Sequence, residues 1–112
     1  GHVIFEFHAH ILSNLKLNSK ILKVLTVFIK GQIDTLTAPE LEKDVNKDLA
    51  KANSLVLDFK DVSYVSSAGL RVILSFYKKQ NEKNRGFMLR NVNTEVMTVL
   101  EMTGFTAFLN IK

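Results

Sequence analysis

Residues 54–74, SLVLDFKDVSYVSSAGLRVIL, constrain the fold of this chain more than any other stretch. Leu55-Val56-Leu57 is an apolar run broken by Asp58 and closed by Phe59. Such a run reads as a strand buried on both faces, the kind found inside a parallel sheet. Lys60-Asp61 reads as a polar turn, followed by Val62-Ser63-Tyr64-Val65 and the short link Ser66-Ser67-Ala68-Gly69. From Leu70 the apolar residues Leu70, Val72, Ile73, Leu74, Phe76 and Tyr77 fall into helical spacing. A strand, a link with two hydroxyls and a glycine, then a helix, places those hydroxyls at a helix N-terminus. Unpaired backbone N–H groups and the positive end of the macrodipole favour an anion there. A serine in that link is well placed to carry a phosphoryl group.

The remaining segments supply partners for this strand and helix. Val3, Phe5, Phe7, Ala9 and Ile11 alternate with His2, Glu6, His8 and His10, a period of two that predicts a strand. His8 and His10 on one strand face have the geometry of a metal pair, but no third ligand stands at a suitable spacing, so they read as exposed residues. Residues 14–17 and 21–29 flank Asn18-Ser19 as a hairpin, the second arm being apolar enough for a central strand that ends at Gly31-Gln32-Ile33-Asp34. Thr37 and Glu40 have the spacing of a capping box, with Pro39 tolerated in the first turn. Leu41, Val45, Leu49 and Ala52 then mark a helical stripe through about residue 52.

The second helix is expected to end near Asn84-Arg85-Gly86, with a short strand over 87–90. Asn93 then caps a third helix with Val96, Val99 and Leu100 inward, and Gly104 stops it as a left-handed residue. Phe105, Phe108, Leu109 and Ile111 form a last apolar patch with room for a final strand. Strands alternating with helices after an initial hairpin predict an α/β domain with a mixed β-sheet and helices mainly on one face.

Composition removes several function classes. With 112 residues the chain makes one domain with a single core. The absence of cysteine excludes disulfides and thiolate metal sites and fits a reducing, cytoplasmic setting. The net charge of +4 comes from scattered lysines without interleaved aromatics, a solvated surface rather than a nucleic-acid face. No apolar run reaches the roughly 20 residues needed to span a bilayer. No glycine-rich phosphate loop is present, and the only histidines, His2, His8 and His10, lie near the N-terminus, so no serine has a base at hand. Asp58 and Asp61 read as strand-end and turn residues rather than an acid/base pair. The expectation is a binding protein, not an enzyme, with no catalytic residues, cofactor or metal.

Three segments, GQIDTLTAPEL, LVLDFKDVSYVSSAGLRVIL and VNTEVMTVLEMTGF, together resemble the STAS domain of bacterial anti-sigma-factor antagonists. The resemblance runs over residues 14–112, in the family's order and spacing, and leaves residues 1–13 as an N-terminal segment: an extra strand, an interface arm or residues added to the natural chain. It implies a STAS-like single domain with the mixed sheet already expected. It further implies that a serine before the second helix is phosphorylated by a partner that is both anti-sigma factor and serine kinase. The free form binds that partner and releases the sigma factor; the phosphorylated form lets go. A serine phosphatase that restores the free form is the further partner implied, and the oligomeric state stays open.

Laid on this chain, the family's aspartate-serine-serine/threonine-glycine-leucine pattern puts Ser66 at the aspartate, Ser67 at the phosphoacceptor, then Ala68, Gly69 and Leu70. Ser66 is the alternative acceptor. The Gly-x-x-Asp element matches as Gly31 and Asp34, so the implied partner-binding surface comprises Gly31, Asp34, Ser66, Ser67, Ala68, Gly69 and Leu70. Two departures stand out: Ser66 removes a carboxylate beside the acceptor, and the sequence stops at Lys112 where many relatives continue into an amphipathic helix.

Each residue also has a plain reading. Ser67 can serve as a helix cap, Asp34 as a turn residue bonding its own backbone, and Gly69 as a point of close approach. Arg71, Lys78 and Lys79 fall on the presumed solvent side of the second helix. The competing functions are a STAS accessory subunit or scaffold of a transporter, indifferent to Ser67→Ala, and a small-ligand or nucleotide sensor.

Overall fold

The computed structural model describes the backbone of residues 6–17 and 20–112, and side chains from Leu22 onward. Strand β1 (Glu6–Leu17) and strand β2 (Lys20–Ile33) form an antiparallel hairpin whose register closes at Leu17↔Lys20. Helix α1 (Ala38–Leu49), strand β3 (Ser54–Val65), helix α2 (Ser67–Glu82), strand β4 (Phe87–Arg90) and helix α3 (Thr94–Met102) follow. A 3-10 turn, Phe105–Ala107, leads to the short strand β5 (Asn110–Ile111). The sheet order is β1-β2-β3-β4-β5, with β2 to β5 parallel and β1 antiparallel at the edge.

A monotonic strand order with right-handed crossovers puts every crossover helix on one side of the sheet. The core agrees. Leu41, Val45 and Leu49 of α1, Val72, Ile73 and Phe76 of α2, and Val96 and Leu100 of α3 join one cluster with Leu55, Leu57 and Phe59 of β3. Alternate residues of a strand face opposite ways, so Val56 and Asp58 look to the other face. Asp58 is only 4% exposed there. Its Oδ2 accepts from Arg90 Nε at 2.8 Å and Asn91 Nδ2 at 3.0 Å, and its Oδ1 from the Lys60 N–H at 2.9 Å. The Arg90 guanidinium lies over the Phe28 ring, 5.5 Å from its centroid. Burial pushes the Asp58 carboxyl up, but the bonds from Arg90, Lys60 and Asn91 and the Arg90 charge outweigh it and hold the group below its usual value.

The mixed sheet, the hairpin and the one-sided helices are as expected; several boundaries are not. Residues 60–61 are no turn: β3 continues through them to Val65, and Asp58 sits buried within the strand rather than at its end. The hairpin's first arm is one strand from Glu6, continuous across residues 13 and 14. β2 ends at Ile33, within the expected stretch, whereas α1 stops at Leu49, short of residue 52. The capping box does not form, because Thr37 Oγ1 donates to the Gln32 carbonyl at 2.7 Å and accepts from the Asp34 N–H at 2.8 Å. Asn93 caps α3 as expected, and Gly104 stops it at φ +82°. The side chains of His8 and His10 lie outside the described residues.

Candidate functional site

The site is built where β2 and β3 outrun the rest of the sheet. β4 pairs with β3 only as far as Asp58↔Arg90, while β2 accompanies β3 to Ile33↔Val65. Over that extension the register slips twice, from Phe28↔Asp58 to Lys30↔Asp61 and from Gly31↔Val62 to Gln32↔Tyr64. Each slip gives β3 one extra residue, a pair of bulges that bends the strand. Gly31 takes φ +104° at the second slip, a conformation that suits glycine and few other residues. Bulging also explains why Val62 and Val65, three apart, are both buried while Ser63 and Tyr64 are exposed.

At the end of the ladder the Ser66 N–H donates to the Ile33 carbonyl at 2.9 Å. The same carbonyl fixes the start of α2 from the other side. A Cβ on Gly69 would stand 2.6 Å from Ile33 O, 2.8 Å from Val65 Cγ1 and 2.9 Å from Ile33 Cγ2. Glycine is therefore required for the first turn of α2 to seat against the end of β2. Ser66 is extended, with φ −86° and ψ 177°, and its Oγ accepts a long bond from the Gly69 N–H at 3.4 Å. The helix cap is thus Ser66, not Ser67 as the plain reading had it. Ser67 is the first helical residue, exposed, and its hydroxyl has no hydrogen-bond partner among the described residues. No acidic residue stands in the first turn of α2.

Asp34 lies next to Ile33, at the same end of the sheet. Its Oδ1 accepts from the Leu36 N–H at 3.0 Å, the Thr37 N–H at 3.1 Å and Thr37 Oγ1 at 3.2 Å. The Thr37 N–H bond, followed by those from Leu36 and the Thr37 hydroxyl, outweighs desolvation and lowers its pKa, so the carboxylate is charged at neutral pH. Asp34 is the lock of the β2–α1 loop, the backbone-bonding role foreseen for it. The loop it locks holds Leu36 in solvent, 82% exposed. Across the ladder from Gln32, Tyr64 is 49% exposed. Neither was singled out beforehand; the three-residue spacing of Val62 and Val65 is the signal that would have pointed to Tyr64.

The structure therefore gathers Gly31, Asp34, Ser66, Ser67, Ala68, Gly69 and Leu70 at one end of the sheet, with unequal access. Gly69 is buried, and Ala68 and Leu70 pack partly on the core, which leaves Ser67 as the exposed member of the link. No cluster of potential metal ligands occurs among the described residues, and no helix among them is long and apolar enough to cross a membrane.

Comparison with known proteins identifies the family of the domain. The family model for the STAS domain matches residues 15–112. The chain belongs to the STAS domain family. Its similarity to the anti-sigma-B factor antagonist of Listeria monocytogenes is 26% identity over 89 residues, covering 79% of this chain and 78% of the relative. The STAS fold recurs in the crystal structure of an anti-sigma factor antagonist from Mycobacterium paratuberculosis, with TM-score 0.72 at 24% identity over 92% of this chain and 85% of that one. The Bacillus cell fate determinant SpoIIAA in its phosphorylated form shares the fold at TM-score 0.64 and 10% identity, covering 91% of each chain. The STAS domain expected from the three motifs is the one found.

Proposed function

We propose that this STAS domain is an anti-sigma-factor antagonist controlled by phosphorylation of Ser67. In the free state it binds an anti-sigma factor that is also a serine kinase, through a surface made of Gly31, Asp34 and the 66–70 link, with Leu36 and Tyr64 as apolar contacts. Phosphorylation ends that binding, and a serine phosphatase restores it, so transcription is regulated indirectly. The domain is the kinase's substrate, itself no enzyme, and works in the cytoplasm without cofactor or metal. Residues 14–112 carry this activity, and the N-terminal segment of residues 1–13 contributes, from Glu6 onward, the extra length of strand β1.

The observation that carries this reading is the state of the Ser67 hydroxyl: exposed, unbonded among the described residues, and at the start of a helix whose first turn holds no carboxylate. A kinase can reach it without unfolding anything. The phosphate adds about −1.5 to −2 charge, which the helix terminus tolerates and a closely packed partner surface does not. Because Ser66 and Gly69 hold the link by backbone contacts, modification changes the surface and leaves the fold.

The test is incubation with the candidate kinase and ATP, followed by intact mass and site mapping. One phosphate at Ser67, absent from Ser67→Ala and accompanied by release of the kinase, is the expected result. Phosphate at Ser66 instead would move the acceptor by one residue, and no phosphate under any condition would sink the proposal.

A further inference from the structure

Resting on that reading, we infer that Arg71 is the counter-ion of the phosphorylated state: its guanidinium pairs with a phosphate on Ser67 across one turn of α2. Both residues lie in α2 and both are exposed. They stand four apart, the spacing at which helical side chains meet on one face. Arg71 makes no hydrogen bond or ion pair among the described residues, and neither does the Ser67 side chain.

Distance selects Arg71 over the other cations of this helix. A shallow depression of about 380 Å³ runs along the outer face of α2, lined by Arg71, Leu74, Ser75, Lys78, Lys79 and Glu82. At about 1.5 Å of rise per residue, Arg71 lies roughly 6 Å along the axis from Ser67 and Lys78 roughly 16 Å. The second separation exceeds the screening length of about 8 Å in physiological salt, while the first lies within it. Lys79 is also engaged, its Nζ bonding Asn46 Oδ1 at 3.1 Å. A guanidinium offers a planar pair of donors suited to phosphate oxygens, which a lysine at the same place would not. Asp34, Asp61, Lys30 and Lys60 are further charged groups at this end of the sheet, and they are common to the parent and to every Arg71 variant.

The pairing alters what a partner meets. Without phosphate, α2 presents the free cation of Arg71 beside a neutral hydroxyl. With phosphate, the same surface carries an anion of about −1.5 to −2, and Arg71 is taken up by it. The net change at this turn of helix is the phosphate's own charge of about −1.5 to −2, and the pairing adds that Arg71 is no longer free to meet a carboxylate of the partner.

The experiment uses the full chain with phosphoserine inserted at position 67 by an expanded genetic code, so that no kinase is needed. The second ionisation of the phosphate is followed by phosphorus NMR across pH. Pairing favours the dianion, so Arg71→Gln is expected to raise that pKa by about half a unit, roughly threefold in proton affinity. Arg71→Lys should recover part of the difference, and Lys78→Gln should change nothing. Identical titrations for Arg71→Gln and the parent would overturn the pairing, whatever a kinase does to Ser67. Conversely, a chain never phosphorylated in cells would end the regulatory reading while the measured pair stood.

Discussion

The N-termini of α2 and α3 are assembled from nearly the same parts, yet one reads as a switch and the other as a fastening. Each begins with an extended cap residue that accepts from the third helical N–H, Ser66 from Gly69 at 3.4 Å and Asn93 from Val96 at 2.8 Å. Each then presents an exposed hydroxyl at the first helical position, Ser67 and Thr94. Around α3 the surroundings are occupied. Glu95 stands in the first turn, Asn93 Nδ2 donates to the Val62 carbonyl at 2.7 Å, and Thr98, four residues on from Thr94, bonds back to the Thr94 carbonyl at 2.9 Å. Around α2 the first turn holds no carboxylate, and the residue four positions on from Ser67 is Arg71, unpaired among the described residues. A hydroxyl at a helix start is thus no signal by itself. What separates the two is whether neighbouring side chains are already committed.

The sharpest way to break this contrast is at the buried anchor just before α3. Asp58→Ala would strand Arg90 and Asn91 and loosen the β4–α3 connection. Loss of a buried carboxylate that accepts three hydrogen bonds, one of them from the partly exposed Arg90, points to a cost of about 3 kcal/mol in urea unfolding at neutral pH. The sign with pH follows from the lowered pKa of Asp58. Its contribution is present above the unfolded value, near 3.8, and is lost as pH falls through the lower folded value. Stability of the parent should therefore fall in acid more steeply than that of Asp58→Asn. Equal acid sensitivity would show that the pair contributes little.

A smaller effect is expected at the third position of α2. There Gly69 faces Ile33 O, whereas the same position of α3 holds the buried Val96. The obstructing atom is backbone, which cannot rotate aside, so Gly69→Ala has to push α2 off the end of β2. Overpacking of this kind costs about 1–3 kcal/mol. If the variant unfolds like the parent, the seat of α2 on β2 is looser than the geometry indicates.

Most of the architecture could be read from the chain because it depends on local signals. Apolar runs, the Asn93 cap and Gly104 mark the elements directly, and the strand–helix alternation gives the parallel sheet. The errors fall where contacts outside the short motif, near or far in the chain, overrule it. Lys60-Asp61 looks like a turn, but pairing with β2 carries the strand through it. Thr37 and Glu40 have the spacing of a capping box, but Gln32 and Asp34 claim the threonine hydroxyl. Which of two adjacent serines caps α2 depends on whether Ser66 or Ser67 is still extended. That is decided by Ile33, more than thirty residues earlier, taking the Ser66 N–H. The site residues were named by motif resemblance; their unequal exposure follows only from packing.

The smallest predicted effect decides most about the switch. Ser67→Ala should change unfolding stability by less than about 0.5 kcal/mol, as expected for an exposed side chain without partners. Thr94→Ala, at the matching place in α3, should behave alike, for its hydroxyl also makes no hydrogen bond among the described residues. A loss nearer 1 kcal/mol at Ser67 would mean that its hydroxyl caps the helix in solution. A phosphate there would then have to break a structural bond, and modification would loosen the start of α2 rather than recharge its surface. Neutrality in stability, together with loss of the phosphate, is the combination that a surface switch requires.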